Sequence, residues 1–298
     1  MSRQQQRDAV RAALAAAPKE RGTVEQERAG FELFGTARPL ASGVIGDDVT
    51  LGGRRAVRLR GDDQSRTVVL YLHGGGYVVG SHRTGARLAS ALVARTGGTG
   101  YSLDYRLAPE HPYPGAVEDA LAAYREVLVT TAASDIVVAG DSAGGGLTVA
   151  LLVAAREAGL PQPAAAAVFS PWADLTLTGE SLRTRAGADP LFDVPALRWY
   201  ADHYAPTAAA ARAASPIFAD LSGLAPLLVQ VGGDELLLDD AVRLAARAAA
   251  DDVEVTLEVG PGLPHVYQIN FGALDDADEA LDRAGTFLSR RLHAAVAA

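Results

Sequence analysis

A serine stands in Gly140-Asp141-Ser142-Ala143-Gly144, between the apolar run Ile136-Val137-Val138-Ala139 and the apolar stretch Leu147-Thr148-Val149-Ala150-Leu151-Leu152-Val153. A strand that feeds a helix through so short a segment turns sharply and lifts the serine hydroxyl above the sheet edge. There it meets a helix N-terminus, whose amides favour negative charge. Backbone crowding in such a turn leaves no room for side chains two positions before and two after the serine, and both are glycine. The chemistry this spacing suits is nucleophilic attack by a hydroxyl.

About seventy residues upstream, Thr67-Val68-Val69-Leu70-Tyr71-Leu72 reads as a buried strand that runs into His73-Gly74-Gly75-Gly76-Tyr77. Three consecutive glycines leave their amides unshielded. Such amides can hold the oxyanion of a tetrahedral intermediate together with the amide of the residue after the nucleophile, here Ala143. Phosphate-binding readings of the glycines fail. A Walker-type loop needs a lysine after its last glycine, and the single lysine, Lys19, is far from any glycine run. Neither loop has the G-x-G-x-x-G spacing, and Gly144-Gly145-Gly146 falls after the helix has begun.

A serine hydroxyl needs a neutral imidazole to take its proton. Of six histidines, His265 in Gly260-Pro261-Gly262-Leu263-Pro264-His265 follows the last expected strand, where the chain order serine, acid, histidine requires the base. His73 is expected to brace the glycine loop. The acid should follow the strand ending at Val231, where Gly232-Gly233-Asp234-Glu235 offers two adjacent carboxylates, only one of which can face the histidine. Asp239 or Asp240 is most simply an N-cap for the next helix.

These loops need a scaffold. Two strands joined by Gly52-Gly53 open the chain's sheet, followed by strands near 67–72, 99–104, 136–139, 165–169, 227–231 and 253–258, with helices between them. The stretch up to about Phe34 reads as helical, and a last helix spans about 275–294. Strands alternating with helices imply a mostly parallel sheet covered on both faces, here an eight-stranded α/β-hydrolase pattern in one domain, 1–298. A segment near 180–215 interrupts the alternation and carries Leu191, Phe192, Leu197, Trp199, Tyr200, His203 and Tyr204, placed where a lid would cover the sheet edge. Tyr77, Trp199 and Tyr204 are the candidates for lining a substrate pocket.

With 298 residues, 49% of them hydrophobic, the chain can bury a large core. A net charge of -9 with both signs mixed along the sequence argues against nucleic acid or an anionic membrane as partner. The absence of cysteine removes disulfides, thiolate nucleophiles and zinc–thiolate sites, and fits the cytoplasm. Neither a signal peptide nor a membrane span is expected.

Four stretches together resemble the hormone-sensitive-lipase family of esterases, in its bacterial G-D-S-A-G branch. They are His73 to Gly76, Asp104-Tyr105-Arg106-Leu107-Ala108-Pro109-Glu110-His111-Pro112-Tyr113-Pro114, Gly140 to Gly145, and Ser170-Pro171-Trp172-Ala173-Asp174-Leu175-Thr176. The resemblance implies an α/β-hydrolase core with a helical cap from about 1–40 and 180–215. It further implies a serine–acid–histidine triad with Ser142 and His265, oxyanion amides from Gly75, Gly76 and Ala143, and short- to medium-chain carboxylic esters as substrates. No metal or cofactor is implied, and pairing of two copies through edge strands or helices is compatible with it. The family usually presents Asp-Pro-Leu-x-Asp-Glu as its acid segment. Anchored on Ala225-Pro226-Leu227 and Asp239-Asp240, the ungapped counterpart puts Glu235 where that aspartate stands, so Glu235 is favoured over Asp234. Glutamate there, together with Ser170 to Thr176, also resembles monoterpene lactone hydrolases, and an amidase or a non-catalytic small-ligand receptor are further readings.

Overall fold

The computed structural model describes residues 1–16, 21–61 and 65–294; Lys19 and positions 17–20 of the expected N-terminal helix lie outside them. Eight strands form one sheet, β1 (Ile45–Leu51), β2 (Arg54–Arg60), β3 (Val68–Leu72), β4 (Thr99–Leu103), β5 (Ile136–Asp141), β6 (Ala165–Phe169), β7 (Leu227–Gly232) and β8 (Val255–Gly260). Their order across the sheet is β1-β2-β4-β3-β5-β6-β7-β8. The β1–β2 and β2–β4 pairs are antiparallel and every later pair is parallel. Gly52 and Gly53, at φ 60 and 75, make the first hairpin turn.

Side chains alternate across a strand, and this sheet is apolar on both faces. Val69 and Tyr71 of β3, Val137 and Ala139 of β5 and Ala167 and Phe169 of β6 pack with α3 (His82–Thr96) and α10 (Asp275–Ala294). Residues one place along, Val68, Leu70, Leu72, Ile136 and Val138, face α4 (Gly115–Thr130) and α5 (Ala143–Glu157). On α10 the buried Leu281, Ala284, Leu288 and Leu292 recur at helical spacing, which lays one stripe on the sheet. A third cluster joins β6 and β7 to α9 (Leu238–Ala250). Because β5 to β8 are parallel neighbours, the loops that leave them all emerge at one edge.

The helical N-terminal stretch comprises α1 (Arg3–Ala15) and α2 (Val24–Thr36). A capping box at Thr23 and Gln26 starts the second one afresh. Arg7 of α1 holds Asp276 of α10, while Arg28 of α2 donates to the carbonyls of Val78 and Ala108 and to Glu110. The 180–215 segment contains α6 (Ser181–Thr184), α7 (Val194–Tyr204) and α8 (Ala208–Ala213).

Neither Asp239 nor Asp240 caps α9, contrary to the sequence expectation; the N-cap is Leu237 and carries no side-chain bond. Asp240 is instead turned inward, where its carboxylate accepts the amides of Ala173 and Asp174 at 2.9 and 2.8 Å. Asp239 accepts the amide of Glu180. Both side chains serve the neighbouring loops, whose buried amides have greater need of a partner than the helix end. Among the described residues no helix is long and apolar enough to cross a membrane.

Candidate active site

Ser142 leaves β5 at φ 54, ψ -122 and heads α5. Its amide donates to the Phe169 carbonyl, and its own carbonyl accepts from Gly146 and Trp172. A Cβ on Gly140 would lie 2.3 Å from the Gly144 carbonyl oxygen, and one on Gly144 would lie 2.0 Å from that of Leu72. Glycine at both places is therefore a steric requirement of the turn.

The glycine loop sits directly across from this turn. Asp141 Oδ1 accepts the Gly74 amide at 3.0 Å and the Tyr71 hydroxyl at 2.7 Å. Gly75 and Gly76 follow at φ 121 and 58, and among the described residues neither gives its amide to a protein acceptor. His73 is buried beneath them, its Nδ1 2.7 Å from the Gly74 carbonyl and its ring stacked on Tyr105 at 4.2 Å. Burial drives the His73 pKa down to about 4, so the ring is a neutral brace at ordinary pH.

The loops after β7 and β8 bring a carboxylate to an imidazole. His265 Nδ1 lies 2.9 Å from Glu235 Oε1, both side chains buried. Glu235 Oε2 accepts the Ser170 hydroxyl and the Gly232 amide, each at 2.7 Å. Asp234 faces away, its Oδ2 3.0 Å from Arg11 Nη1 with both side chains partly exposed. The one-residue step in the turn after β7 thus sends the two carboxylates in different directions. Burial disfavours the His265 cation, but the charge and hydrogen bond of Glu235, with Asp189 and Asp141 behind them, outweigh it and hold the pKa above its ordinary value. Desolvation raises the Asp141 carboxyl, against its bonds to Tyr71 and Gly74 and the charge of His265.

The 180–215 segment lies against this edge. The Phe192 ring stands edge-on to His265 at 5.2 Å. Asp189 anchors that stretch, accepting the amides of Leu191 and Phe192 on one oxygen and of Leu236 on the other. Of the pocket candidates, Tyr77 and Tyr204 are fully buried and stacked on each other at 3.9 Å, with Trp172 tilted beside Tyr77 at 6.3 Å. Trp199 is half-buried, edge-on to Tyr200 and 4.2 Å from the His203 ring. Tyr200 presses on the glycine loop, since a Cβ on Gly76 would lie 2.5 Å from its ring, and its hydroxyl accepts from Arg21. Among the described residues no group of three or more His, Asp or Glu side chains is placed to hold a metal ion.

A strained serine at a strand–helix turn, facing a glycine loop and flanked by loops from the next three parallel strands, is the arrangement of an α/β hydrolase. Residues 69–269 match the model of a family described by its alpha/beta hydrolase fold. An acetyl-hydrolase of Streptomyces hygroscopicus is 42% identical over 269 residues, covering 90% of each chain, and an esterase of Acinetobacter venetianus is 35% identical over 78% of each. A crystal structure of an esterase from the bacterial hormone-sensitive lipase family superposes with TM-score 0.91 at 41% identity, covering 98% of this chain and all of the other. EstE5, soaked with ethyl alcohol, gives 0.92 at 40% identity over 97% and 99%. The chain belongs to this α/β-hydrolase family, in its bacterial hormone-sensitive-lipase branch, and is a carboxylic ester hydrolase.

Sequence reasoning brought Ser142, His265, Glu235, Gly75, Gly76 and Ala143 to one edge of the sheet. It passed over Ser170, which bonds Glu235, Asp141, which accepts the Gly74 amide, and Asp189, which accepts the Leu236 amide next to Glu235. Asp141 and Ser170 stood inside the motifs already singled out, whereas the bond that ties Asp189 to the acid loop runs to the Leu236 amide, 47 residues away in sequence.

Proposed function

We propose that Ser142, His265 and Glu235 form a catalytic triad that hydrolyses short- to medium-chain carboxylic esters through an acyl-enzyme. The observation that carries this reading is the buried bond between Glu235 Oε1 and His265 Nδ1, on loops adjacent to the strained serine. With Nδ1–H given to the carboxylate, Nε2 is the free acceptor that a serine proton needs. Ser142 attacks the ester carbonyl as His265 takes its proton. The negative oxygen that forms is held by the amides of Gly75 and Gly76, which are short of partners, and by that of Ala143 at the N-terminus of α5. His265 returns the proton to the leaving alcohol, and water repeats the sequence on the acyl group. The raised His265 pKa suits this exchange, since Glu235 stabilises the imidazolium formed in the attack.

The N-terminal helices and the 180–215 segment act as a cap. Arg21–Tyr200 and Arg11–Ala188 tie the two parts together, and Phe192 closes over the base. A series of p-nitrophenyl esters from acetate to palmitate, run beside Ser142→Ala, tests the reading. Turnover should peak at short or medium chains and vanish in the variant. Undiminished turnover in Ser142→Ala overturns the triad, and inactivity on every ester with opening of a lactone moves the substrate class to cyclic esters.

A further inference from the structure

Ser170 does no chemistry in the sequence of steps above, yet it touches the acid and the base at once. It follows β6 directly and is wholly buried. Its hydroxyl donates to Glu235 Oε2 at 2.7 Å, and the same oxygen accepts the Val266 amide at 3.0 Å, one residue past His265. A carboxylate only accepts and an amide only donates, so the polarity of this bridge is fixed: proton toward the acid, lone pair toward the base loop. Its own amide donates to the Gln230 carbonyl, two residues before the Gly232 amide that also holds Glu235. The neighbouring Phe169 and Trp172 bond the backbone of Ser142. One short segment is therefore joined to the loops of the nucleophile, the acid and the base.

Ser170 occupies φ 48, a left-handed conformation that glycine adopts freely and serine does not. A loop that needed only this backbone shape would be served better by glycine. Glutamate also carries one more rotatable bond than aspartate, so its carboxylate needs more fixing to present Oε1 to the ring. We propose that Ser170 is a positioning residue whose hydroxyl locks the Glu235 carboxylate and the His265 loop in register for proton transfer. This inference rests on the triad reading above.

The test is a double-mutant cycle on p-nitrophenyl butyrate hydrolysis, with Ser170→Gly and Ser170→Ala each made alone and with Glu235→Gln. The glycine variant suits φ 48 and guards against loss of fold, checked by thermal melting; the alanine variant retains Cβ. With Glu235 present, each should lower kcat about 10–100-fold, with KM changed less than about 3-fold, a loss of about 1.4–2.7 kcal/mol at 1.36 per decade. With Glu235→Gln already in place, each should lower kcat by less than about 3-fold, because a side chain without the carboxylate charge no longer supports the base and holding it in place gains nothing. Equal losses in both backgrounds, or no loss in either, overturn the role of Ser170. Full activity in Ser142→Ala would instead overturn the triad on which the proposal stands.

Discussion

Replacing Glu235 by glutamine tests the acid more sharply than truncation, because the surroundings dictate how the new amide must sit. Two donors, the Ser170 hydroxyl and the Gly232 amide, point at the position of Oε2. The amide oxygen must take that place, since an NH2 group there would leave two buried donors facing a third. Its NH2 then meets His265 Nδ1 across the 2.9 Å contact and forces the tautomer with the proton on Nε2, which cannot accept one from Ser142. In a serine protease triad the same exchange costs about 10⁴-fold in kcat through the wrong tautomer. A loss of about 10³–10⁴-fold, or about 4–5.5 kcal/mol at 1.36 per decade, is expected here. Asp234→Asn breaks only a part-exposed pair with Arg11, worth about 0–1 kcal/mol, so its effect should stay within about 5-fold. Steady-state rates on p-nitrophenyl butyrate, with fold checked by circular dichroism, measure both. A large loss in Asp234→Asn with Glu235→Gln near wild type would refute the assignment.

The acid limb of kcat/KM should lie above the ordinary imidazole value of about 6.5, because protonated His265 cannot act as base and its pKa is raised; a limb below 6 contradicts this. Gly76→Ala should lower kcat by at least about 10²-fold, since its Cβ would strike the Tyr200 ring and turn an oxyanion donor away; steady-state rates on folded protein decide it. Gly144→Ala should fail to fold, read as absence of a cooperative melt, because its Cβ meets rigid backbone at 2.0 Å. Arg28 depresses the Glu110 pKa from 4.5 to about 2. The stabilisation from that pair is present above 4.5 and lost as pH falls toward 2, so the protection of α2 amides relative to their intrinsic exchange rates should fall across that window, and this fall should be absent in Arg28→Ala.

Much of the site was legible because the fold places chemistry at strand ends, and strand ends are marked in sequence by glycine and by the stop of an apolar run. Ser142 was readable from Gly140 and Gly144, whose absent side chains the turn demands, and His265 from its place after the last strand. The choice between Asp234 and Glu235 depended on the count of residues past a strand, which an anchored motif supplies and periodicity alone does not. The expectation that failed did so through contacts distant in sequence. Asp239 and Asp240 had the local signature of helix caps, but distant amides at 173, 174 and 180 took their carboxylates.

Each glycine of the 74–76 loop is hemmed in by a different neighbour: Asp141, the Val79 carbonyl and Tyr200. Almost every nearby backbone atom is thus committed to one conformation, and drift in sequence there meets steric refusal. Between Leu191 and Trp199, by contrast, there is no glycine and several side chains are half-buried. Under the proposed cap role, substitutions in that segment would change which esters fit while the glycine loop beneath stays as it is.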